Sequence, residues 1–455
     1  MTDVAIERRR TVRAAAGWSR RRAVVLTVTW VFLLGNAAGL VWLWVHGGNL
    51  HVKSAGEALT SAARITGLLS AYLALIQVLL LARIPALERA VGFDRLSVWH
   101  RWNGHACLDL VLAHVVLSVY GYALMDRISL GSEISTMLGG GIYPGMITAT
   151  VGTALLVAVV ATSIVIVRRR LRYEWWYLVH LTAYAGIALA WFHQIPTGNE
   201  LVLDRVAADY WRALFAATLA LVVWFRFARP VVDAFRYRLR VDSVVEEGPG
   251  VYSLWIRGRG IHRLAALPGQ FFLWRFLARG RWWASHPFSL SAVPTRDTLR
   301  ITVKELGDFT SRIGEIRPGT RVVAEGPFGV FTAASRRRDR VVLIAGGIGI
   351  TPIRALVEQF AGDAVVLYRA VRDEDVVLAE ELDALDADVR YVVGDHTSEE
   401  GRRLLSPEHL RELVPDIADR EIYLCGPPAM TAVVERSIRR VGVPRRHVHV
   451  ERFAL

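Results

Sequence analysis

Six apolar runs fill the first half of the chain: Ala23–Val45, Ile65–Ala82, Trp102–Met125, Met146–Val167, Trp175–Phe192 and Ala213–Phe225. The first holds 23 residues without a charge, and the third is broken only by Asp109. A hydrocarbon core of about 30 Å takes about 20 helical residues, so each run predicts a membrane-spanning helix. The sixth is short, but Arg212 and Arg226 at its ends can snorkel and extend it. Ala23–Val45 is too long for a signal-peptide core, and more spans follow, so it predicts a retained first helix. Beyond Arg229-Pro230 the period changes. Tyr237–Ile256 alternates like strands, and short strands with Gly/Pro turns continue to about Phe331, which predicts a small antiparallel β-barrel. From Arg340 the order is strand, glycine turn, helix, strand, the pattern of a parallel α/β sheet. The expected organisation is a multidomain membrane protein: an arm at 1–22, a six-helix bundle at 23–230, a barrel at 237–334 and an α/β domain at 339–455. The arginine-rich turn Ser335–Arg340 marks the last boundary.

Charge gives the spans a direction. The net charge of +13 comes almost wholly from arginine, since Lys53 and Lys304 are the only lysines. A basic balance can mean nucleic acid. Here the arginines stand between apolar runs and act as topology signals, with membrane lipid as the partner and no nucleic acid. Seven arginines precede the first span, four (Arg83, Arg89, Arg95, Arg101) link the second and third, and four (Arg168–Arg170, Arg172) link the fourth and fifth. The alternate loops hold about one basic residue each: Lys53, Arg127 and Arg205. The positive-inside rule then predicts a cytoplasmic N-terminus and a cytoplasmic second half, in a multi-pass protein of the cell membrane. Only two cysteines, Cys107 and Cys425, are present, which excludes a disulfide framework and a four-cysteine iron–sulfur cluster.

Four histidines recur at matching intervals. His100 and His114 are 14 residues apart, and His180 and His193 are 13 apart. At about 1.5 Å per residue each pair is separated by roughly 20 Å along its helix. Both helices run outward, so His100 and His180 lie near the cytoplasmic face and His114 and His193 lie further out. Side by side they offer two stacked bis-imidazole sites, as two axially ligated haem irons need. Interhelical hydrogen bonding or a proton relay is the alternative use of an intramembrane histidine. Fourteen residues return a helix to within about 40° of the same face, whereas thirteen leave it about 140° away. His180 and His193 therefore require a kink, a π-bulge, or haems approaching from different sides. Arg64, at the outer mouth of the second span, is either an interfacial anchor or a partner for a haem propionate.

Three motifs mark the second half. His286-Pro287-Phe288-Ser289 combines a cationic or hydrogen-bonding ring, an aromatic and a hydroxyl, which suits phosphate contact, ring stacking and a bond to the edge of a flavin. Gly307-Asp308-Phe309-Thr310 can present backbone N–H groups and a hydroxyl to a pyrophosphate at a following helix N-terminus. Val341–Ala345 delivers Gly346, Gly347 and Gly349 into a helix opening near Thr351 and Pro352, a site for a dinucleotide phosphate that is not the G-x-G-x-x-G fingerprint. Cys425-Gly426-Pro427-Pro428 follows a second strand. Arg369 and Arg372, after the strand Ala364–Tyr368, can read a 2′-phosphate and would favour NADPH over NADH; a solvated charged turn is the alternative.

On these residues the front half resembles the ferric reductase transmembrane domain shared by ferric-chelate reductases and NADPH oxidases, and the back half resembles the ferredoxin–NADP reductase family. The resemblance implies two b-type haems on His100/His180 and His114/His193, and FAD with Phe288 against the isoalloxazine and Ser289 near N5. It also implies a second flavin loop at Gly307–Thr310, a nicotinamide phosphate loop at Gly346–Pro352, and catalytic roles for Ser289, Cys425, Glu451 and Phe453. In relatives the last of these is an aromatic covering the flavin until nicotinamide displaces it; here Ala454 and Leu455 follow it. Ser118 stands where the oxidases carry a further histidine, which favours a general acceptor over dedicated oxygen reduction. The implied function is electron transfer from cytoplasmic NAD(P)H to an extracytoplasmic ferric chelate, oxygen or quinone. A six-helix channel or proton pathway with a flavin sensor domain is the rival reading.

Overall fold

The computed structural model describes residues 2–139, 141–164, 167, 170, 173–278, 282, 285–307, 309–360, 362–395 and 397–452; at 2–21, 94, 173 and 174 only the backbone is described. Val24–Leu87 and Phe93–Phe227 form one compact unit, and the remaining described residues form the other.

The membrane unit is helical. Its principal elements are α1 (Thr2–Trp44, entering from the arm), α2 (Ala55–Leu80), the start of α3 (Pro85–Val91, of which Glu88–Val91 belong to the other unit), α4 (Phe93–Asp126), α5 (Leu130–Gly139), α6 (Met146–Ser163), α7 (Tyr173–Thr197), α8 (Asn199–Leu203) and α9 (Arg205–Val222). α2 opens on a built cap: Ser54 accepts from the backbone N–H of Glu57, and Glu57 reaches back to the N–H of Lys53. Asp204 caps α9 in the same way, accepting from Val206 and Ala207. Among the described residues, five helical stretches are long and apolar enough to cross a membrane: Arg22–Asn49, Ala55–Leu80, Arg95–Asp126, Met146–Ser163 and Arg205–Tyr237. The expected fifth run is helical, but Trp175, Trp176, Tyr177, His180, Tyr184, Trp191 and His193 leave α7 less hydropathic than those five. The last stretch is far longer than Ala213–Phe225, because the helix continues through a π-helical turn, Val223–Ala228, into α10 (Arg229–Tyr237).

Glycines let the helices approach closely. A Cβ on Gly152 would lie 2.6 Å from the carbonyl oxygen of Gly186, and one on Gly186 would lie 3.0 Å from that of Gly152, so α6 and α7 touch backbone to backbone. Without hydrophobic force between helices in lipid, such contacts supply the packing.

In the second unit, β1 (Arg240–Gly248), β2 (Val251–Arg257) and β5 (Thr298–Lys304) form one antiparallel sheet. β4 (His286–Ser289), β3 (Phe271–Phe276) and β6 (Val322–Phe328) form another. Isolated bridges, Leu290 to Ile301 and Arg240 to Arg321, join their edges where the sequence predicts a barrel. Leu254, Ile256, Phe272, Trp274, Phe276 and Ile301 fill the space between them.

The α/β part is a five-stranded parallel sheet in the order β11 (Val448–Arg452), β10 (Glu421–Gly426), β7 (Val341–Gly346), β8 (Ala364–Ala370), β9 (Asp388–Val393). Both faces are covered, as its continuous apolar strands require: Val341, Leu343 and Ala345 of β7 face one core, and Val342 and Ile344 face the other. Its helices are α11 (Ile350–Val357), α12 (Ala379–Asp383), α13 (Glu399–Arg403), α14 (Pro407–Leu413) and α15 (Pro428–Arg440).

Candidate functional site

The four spaced histidines meet in pairs. The His100 and His180 ring centres are 6.0 Å apart, and those of His114 and His193 are 6.3 Å apart. A metal–nitrogen bond of about 2 Å on each side, plus roughly 1 Å from ring nitrogen to ring centre, gives about 6 Å for two imidazoles sharing one ion. Within each pair, therefore, the gap fits one iron. α7 is an unbroken α-helix between His180 and His193, with no π-bulge, so its two rings leave from different sides of the axis. Among the described residues no cluster of three or more His, Cys, Asp or Glu side chains is arranged for a metal ion.

Supporting atoms set the rings. His100 Nδ1 lies 3.0 Å from the carbonyl oxygen of Gln77, and His114 Nδ1 lies 2.8 Å from that of Ala63. A carbonyl only accepts, so both Nδ1 atoms carry the proton and both Nε2 atoms keep a free lone pair. His180 Nδ1 is 3.3 Å from Ser163 Oγ, which also accepts from Trp176 Nε1, and the Trp176 ring leans on His180. His193 Nδ1 is buried and makes no well-formed hydrogen bond among the described residues. Gly67 passes directly beneath His114, where a Cβ would lie 2.8 Å from Nδ1. Gly145 performs the same service at His193, where a Cβ would lie 2.8 Å from the backbone nitrogen.

A mainly apolar cavity of about 530 Å³ surrounds the outer pair and is lined by His114, His193, Arg64, Ser118, Tyr122 and Tyr143 among others. Arg64 donates to Asn49 Oδ1 (2.9 Å), and Asn49 donates to Glu200 Oε1 (2.7 Å), so a buried polar chain closes one side. The sequence reading missed Asn49, Glu200, Gln77 and Trp176. A polar residue inside an apolar run was the available signal for Gln77, which also accepts from Asn103.

The second unit assembles the other motifs. His286 stacks on Phe309 (ring centres 3.8 Å apart), and burial pushes its pKa down, so it is a neutral aromatic surface rather than a cation for phosphate. Phe288 is held by its carbonyl, which accepts from Trp274 Nε1 at 2.9 Å, and Ser289 is buried opposite Phe271. Thr310 Oγ1 accepts from the N–H groups of Leu306 and Gly307, turning the hydroxyl into its own loop. The helix expected after this loop is only a 3₁₀ turn, Ile313–Glu315.

Gly346 ends β7 and Gly347 and Gly349 lead into α11, while Cys425 and Gly426 end β10 beside them and Pro427 links β10 to α15. Strand order reverses between β7 and β10, so these loops flank the topological switch point where α/β sheets bind ligands. Their backbones touch: a Cβ on Gly349 would strike the carbonyl of Cys425, and one on Gly426 would lie 3.2 Å from Gly346 Cα. Thr351 and Pro352 are buried at the helix start. Cys425 is fully buried, and burial together with the charge of Glu451 keeps its thiol well above the ordinary range. Glu451 pairs in register with Cys425 across β10 and β11. Phe453 lies outside the described residues, as does Asp308.

The arginines behave differently from the expectation. Arg369 is buried, and its guanidinium donates to the carbonyls of Ala370, Val392 and Gly394 at the ends of β8 and β9. Arg372 is exposed and ion-paired with Glu374 and Asp375. The first has its donors spent on strand ends, and the second belongs to an exposed charged turn, the alternative that the sequence left open.

Three family models match: "Ferric reductase like transmembrane component" over residues 66–191, "FAD-binding domain" over 256–332, and "Oxidoreductase NAD-binding domain" over 343–436. The chain is 33% identical over 231 residues to the ferredoxin reductase component of 3-ketosteroid-9-alpha-monooxygenase from Mycolicibacterium smegmatis, covering 47% of this chain and 65% of that protein. It is 30% identical over 187 residues to ferredoxin–NADP reductase B of Sorangium cellulosum, covering 36% of this chain and 77% of that one. Among solved structures, the flavohem-like FAD/NAD-binding domain of nitric oxide dioxygenase from Vibrio cholerae is similar at 23% identity and a TM-score of 0.41, over 48% of this chain and 98% of that domain. Through its second half the chain belongs to the ferredoxin–NADP reductase family, over residues 66–191 it carries a ferric reductase-like transmembrane component, and it is an NAD(P)H-dependent oxidoreductase.

Proposed function

We propose that the protein passes electrons from cytoplasmic NAD(P)H, through FAD and two b-type haems, to a ferric chelate, oxygen or a quinone beyond the cell membrane. The observation that carries this reading is the pair of imidazole separations, 6.0 and 6.3 Å, each matching one iron between two axial nitrogens. FAD, when bound, would supply the change from hydride to single-electron transfer, and haem iron the one-electron carriage. His100 with His180, and His114 with His193, would hold the two haems, with the Gln77 and Ala63 carbonyls fixing the tautomers that ligate through Nε2. Arg64, on the wall of the outer cavity, would neutralise a propionate.

In the second unit, Phe288 would lie against the isoalloxazine, Ser289 would bond its edge, and the Gly307 and Thr310 loop with Pro287 and His286 would line its phosphate side. The glycine loop from Gly346 to Gly349, with Thr351 and Pro352, would take the nicotinamide dinucleotide at the N-terminus of α11. Gly426 and Pro427, with the neutral Cys425 and Glu451, would border the nicotinamide, and Phe453 would cover the flavin in its absence. The arginine bias supports a cytoplasmic position for this module.

The test is a reduced-minus-oxidised spectrum of purified protein on adding NADPH without oxygen. The expected result is a b-type Soret and α-band shift in wild type and its loss in a variant lacking both His114 and His100; an absent shift in wild type sinks the reading. Sealed vesicles offered ferricyanide, ferric chelates and oxygen, with and without superoxide dismutase, then identify the acceptor.

A further inference from the structure

An ion-pair chain runs from the strand beside the flavin motif to the helix of the nucleotide loop. Arg300, on β5, is 3% exposed and lies over the Trp255 ring at 5.1 Å. Its Nε donates to Ser291 Oγ (3.1 Å) and its Nη2 to the Ser291 carbonyl (2.7 Å); Ser291 is two residues beyond Ser289. The same guanidinium grips Glu381 of α12 with two bonds, 2.5 Å to Oε1 and 2.9 Å to Oε2. Glu381 Oε2 also lies 2.7 Å from Arg354 Nε. Arg354 sits on α11, five residues beyond Gly349, and pairs in turn with Glu358. Charges alternate along the chain, Arg300, Glu381, Arg354, Glu358. A second ion pair crosses in the same direction, from Lys304 at the end of β5 to Asp375 after β8 (3.3 Å).

Burial alone would raise the Glu381 carboxyl, but the hydrogen bonds and charges of Arg300 and Arg354 hold it below the ordinary range, so it stays ionised at neutral pH. A planar guanidinium held by four bonds is a rigid anchor, and the carboxylate it holds keeps its charge contact with Arg354 only over a narrow range of placements of β5 and α11. Isolated surface ion pairs contribute little. This one is different because its inner member is buried and already fixed to the flavin motif through Ser291.

We propose that Glu381 is a positioning residue for hydride transfer: by bridging Arg300 and Arg354 it fixes the nucleotide loop against the flavin strand. This rests on the reading that NAD(P)H reduces FAD between these two domains. Glu381 exchanges no proton or electron in that step; it sets geometry. Misplacement by about 1 Å far from the chemistry can cost on the order of 100-fold.

The test uses the full-length, FAD-loaded protein under anaerobic conditions. Stopped-flow absorbance follows flavin reduction against NADPH concentration, with NADPH protiated or deuterated at nicotinamide C4. In Glu381→Gln the limiting rate is expected to fall about 10- to 100-fold, with a changed isotope effect and little change in the half-saturating NADPH concentration. Glu381→Asp should recover part of the loss. Because removing one partner can unfold a domain, the double variant R300M/E381L replaces the pair with apolar contact and still frees Arg354; it should fold and show the same rate loss. Hydrogen–deuterium exchange of the same FAD-loaded protein gives a second readout, with faster exchange expected in both 298–304 and 350–357. An unchanged limiting rate in folded variants, or a loss confined to the half-saturating concentration, overturns the proposal. No flavin reduction in wild type overturns the underlying reading instead.

Discussion

Replacing Gly67 with alanine separates a haem site from a mere helix crossing. A Cβ at this position would lie 2.8 Å from His114 Nδ1 and 2.9 Å from Cε1, about 0.6 Å short of the 3.4 Å at which ordinary contact begins. The ring must retreat from α2. That lengthens its 2.8 Å bond to the Ala63 carbonyl and narrows the 6.3 Å separation from His193. Disturbing a partner that orients a ligating histidine typically costs 10- to 100-fold in metal affinity, about 1.4–2.7 kcal/mol. The helix itself gains about 0.8–1.0 kcal/mol, because alanine is the better helix former. Overpacking costs about 1–3 kcal/mol, so the fold loses a net of about 0–2 kcal/mol while the outer haem is weakened. The assay is haem content per chain by pyridine haemochromogen, with a potentiometric titration of the α-band. Wild type should show two haems and Gly67→Ala nearer one, with the remaining component unaltered in potential because Gln77 and His100 are untouched. Two haems per chain with unchanged midpoints in Gly67→Ala would refute the assignment of His114 as a ligand.

Three further outcomes follow from the second unit. Cys425, buried with its thiol well above the ordinary range, should resist alkylation at pH 8 until the protein is denatured; labelling at the native rate of a free thiol would contradict its placement. Glu421 is fully buried; burial raises its carboxyl, but bonds from His449 and His447 hold it below the ordinary range. A depressed folded value means this stability is full above the unfolded carboxylate value of about 4.3 and is lost as pH falls through the folded one. Glu421→Gln should therefore lower the unfolding temperature at pH 7, and its curve should meet the wild-type curve at the acid end; a deficit constant across pH would show that the charge is irrelevant. Arg369→Met should destabilise by about 1–3 kcal/mol, since it leaves the carbonyls of Val392 and Gly394 without their donor. Its ratio of NADPH to NADH activity should stay at the wild-type value, and a selective loss of NADPH activity would restore the phosphate-reading role.

The back half was legible in kind but not in detail. Val341–Gly346 reads as a buried strand because six consecutive residues lack a polar side chain, and it is buried on both faces. What a linear motif cannot show is where a side chain's bonding capacity is consumed. Arg369 and Arg372 look like a phosphate fork because they are close in sequence, yet the strand carries the first into the sheet end and leaves the second in solvent. Thr310 likewise looks available until its loop closes on its own hydroxyl. Glu381 had no motif at all. Its partners are 81 and 27 residues away, and only the fold brings a carboxylate between two arginines.

The histidines make the opposite case, in which an apparent flaw in the periodicity carried information. A 13-residue interval places His180 and His193 about 140° apart on a regular helix, and α7 is regular between them. Helical phase argues against a common site only if both rings must face one neighbour along one line. The partners on α4 are themselves out of strict phase: a 14-residue interval turns about 40°. Each helix therefore meets the other at two azimuths, and the ring pairs still close to 6.0 and 6.3 Å. Small residues make room for this. Gly67 lets His114 lie flat on α2, and Gly145 admits the backbone at His193. At each end, then, the spacing of histidines states the depth of a site, and at the outer end the glycines opposite state its angle. The depth was readable from intervals alone; the angle needed the neighbouring helices, because a glycine has no pattern until something is packed against it.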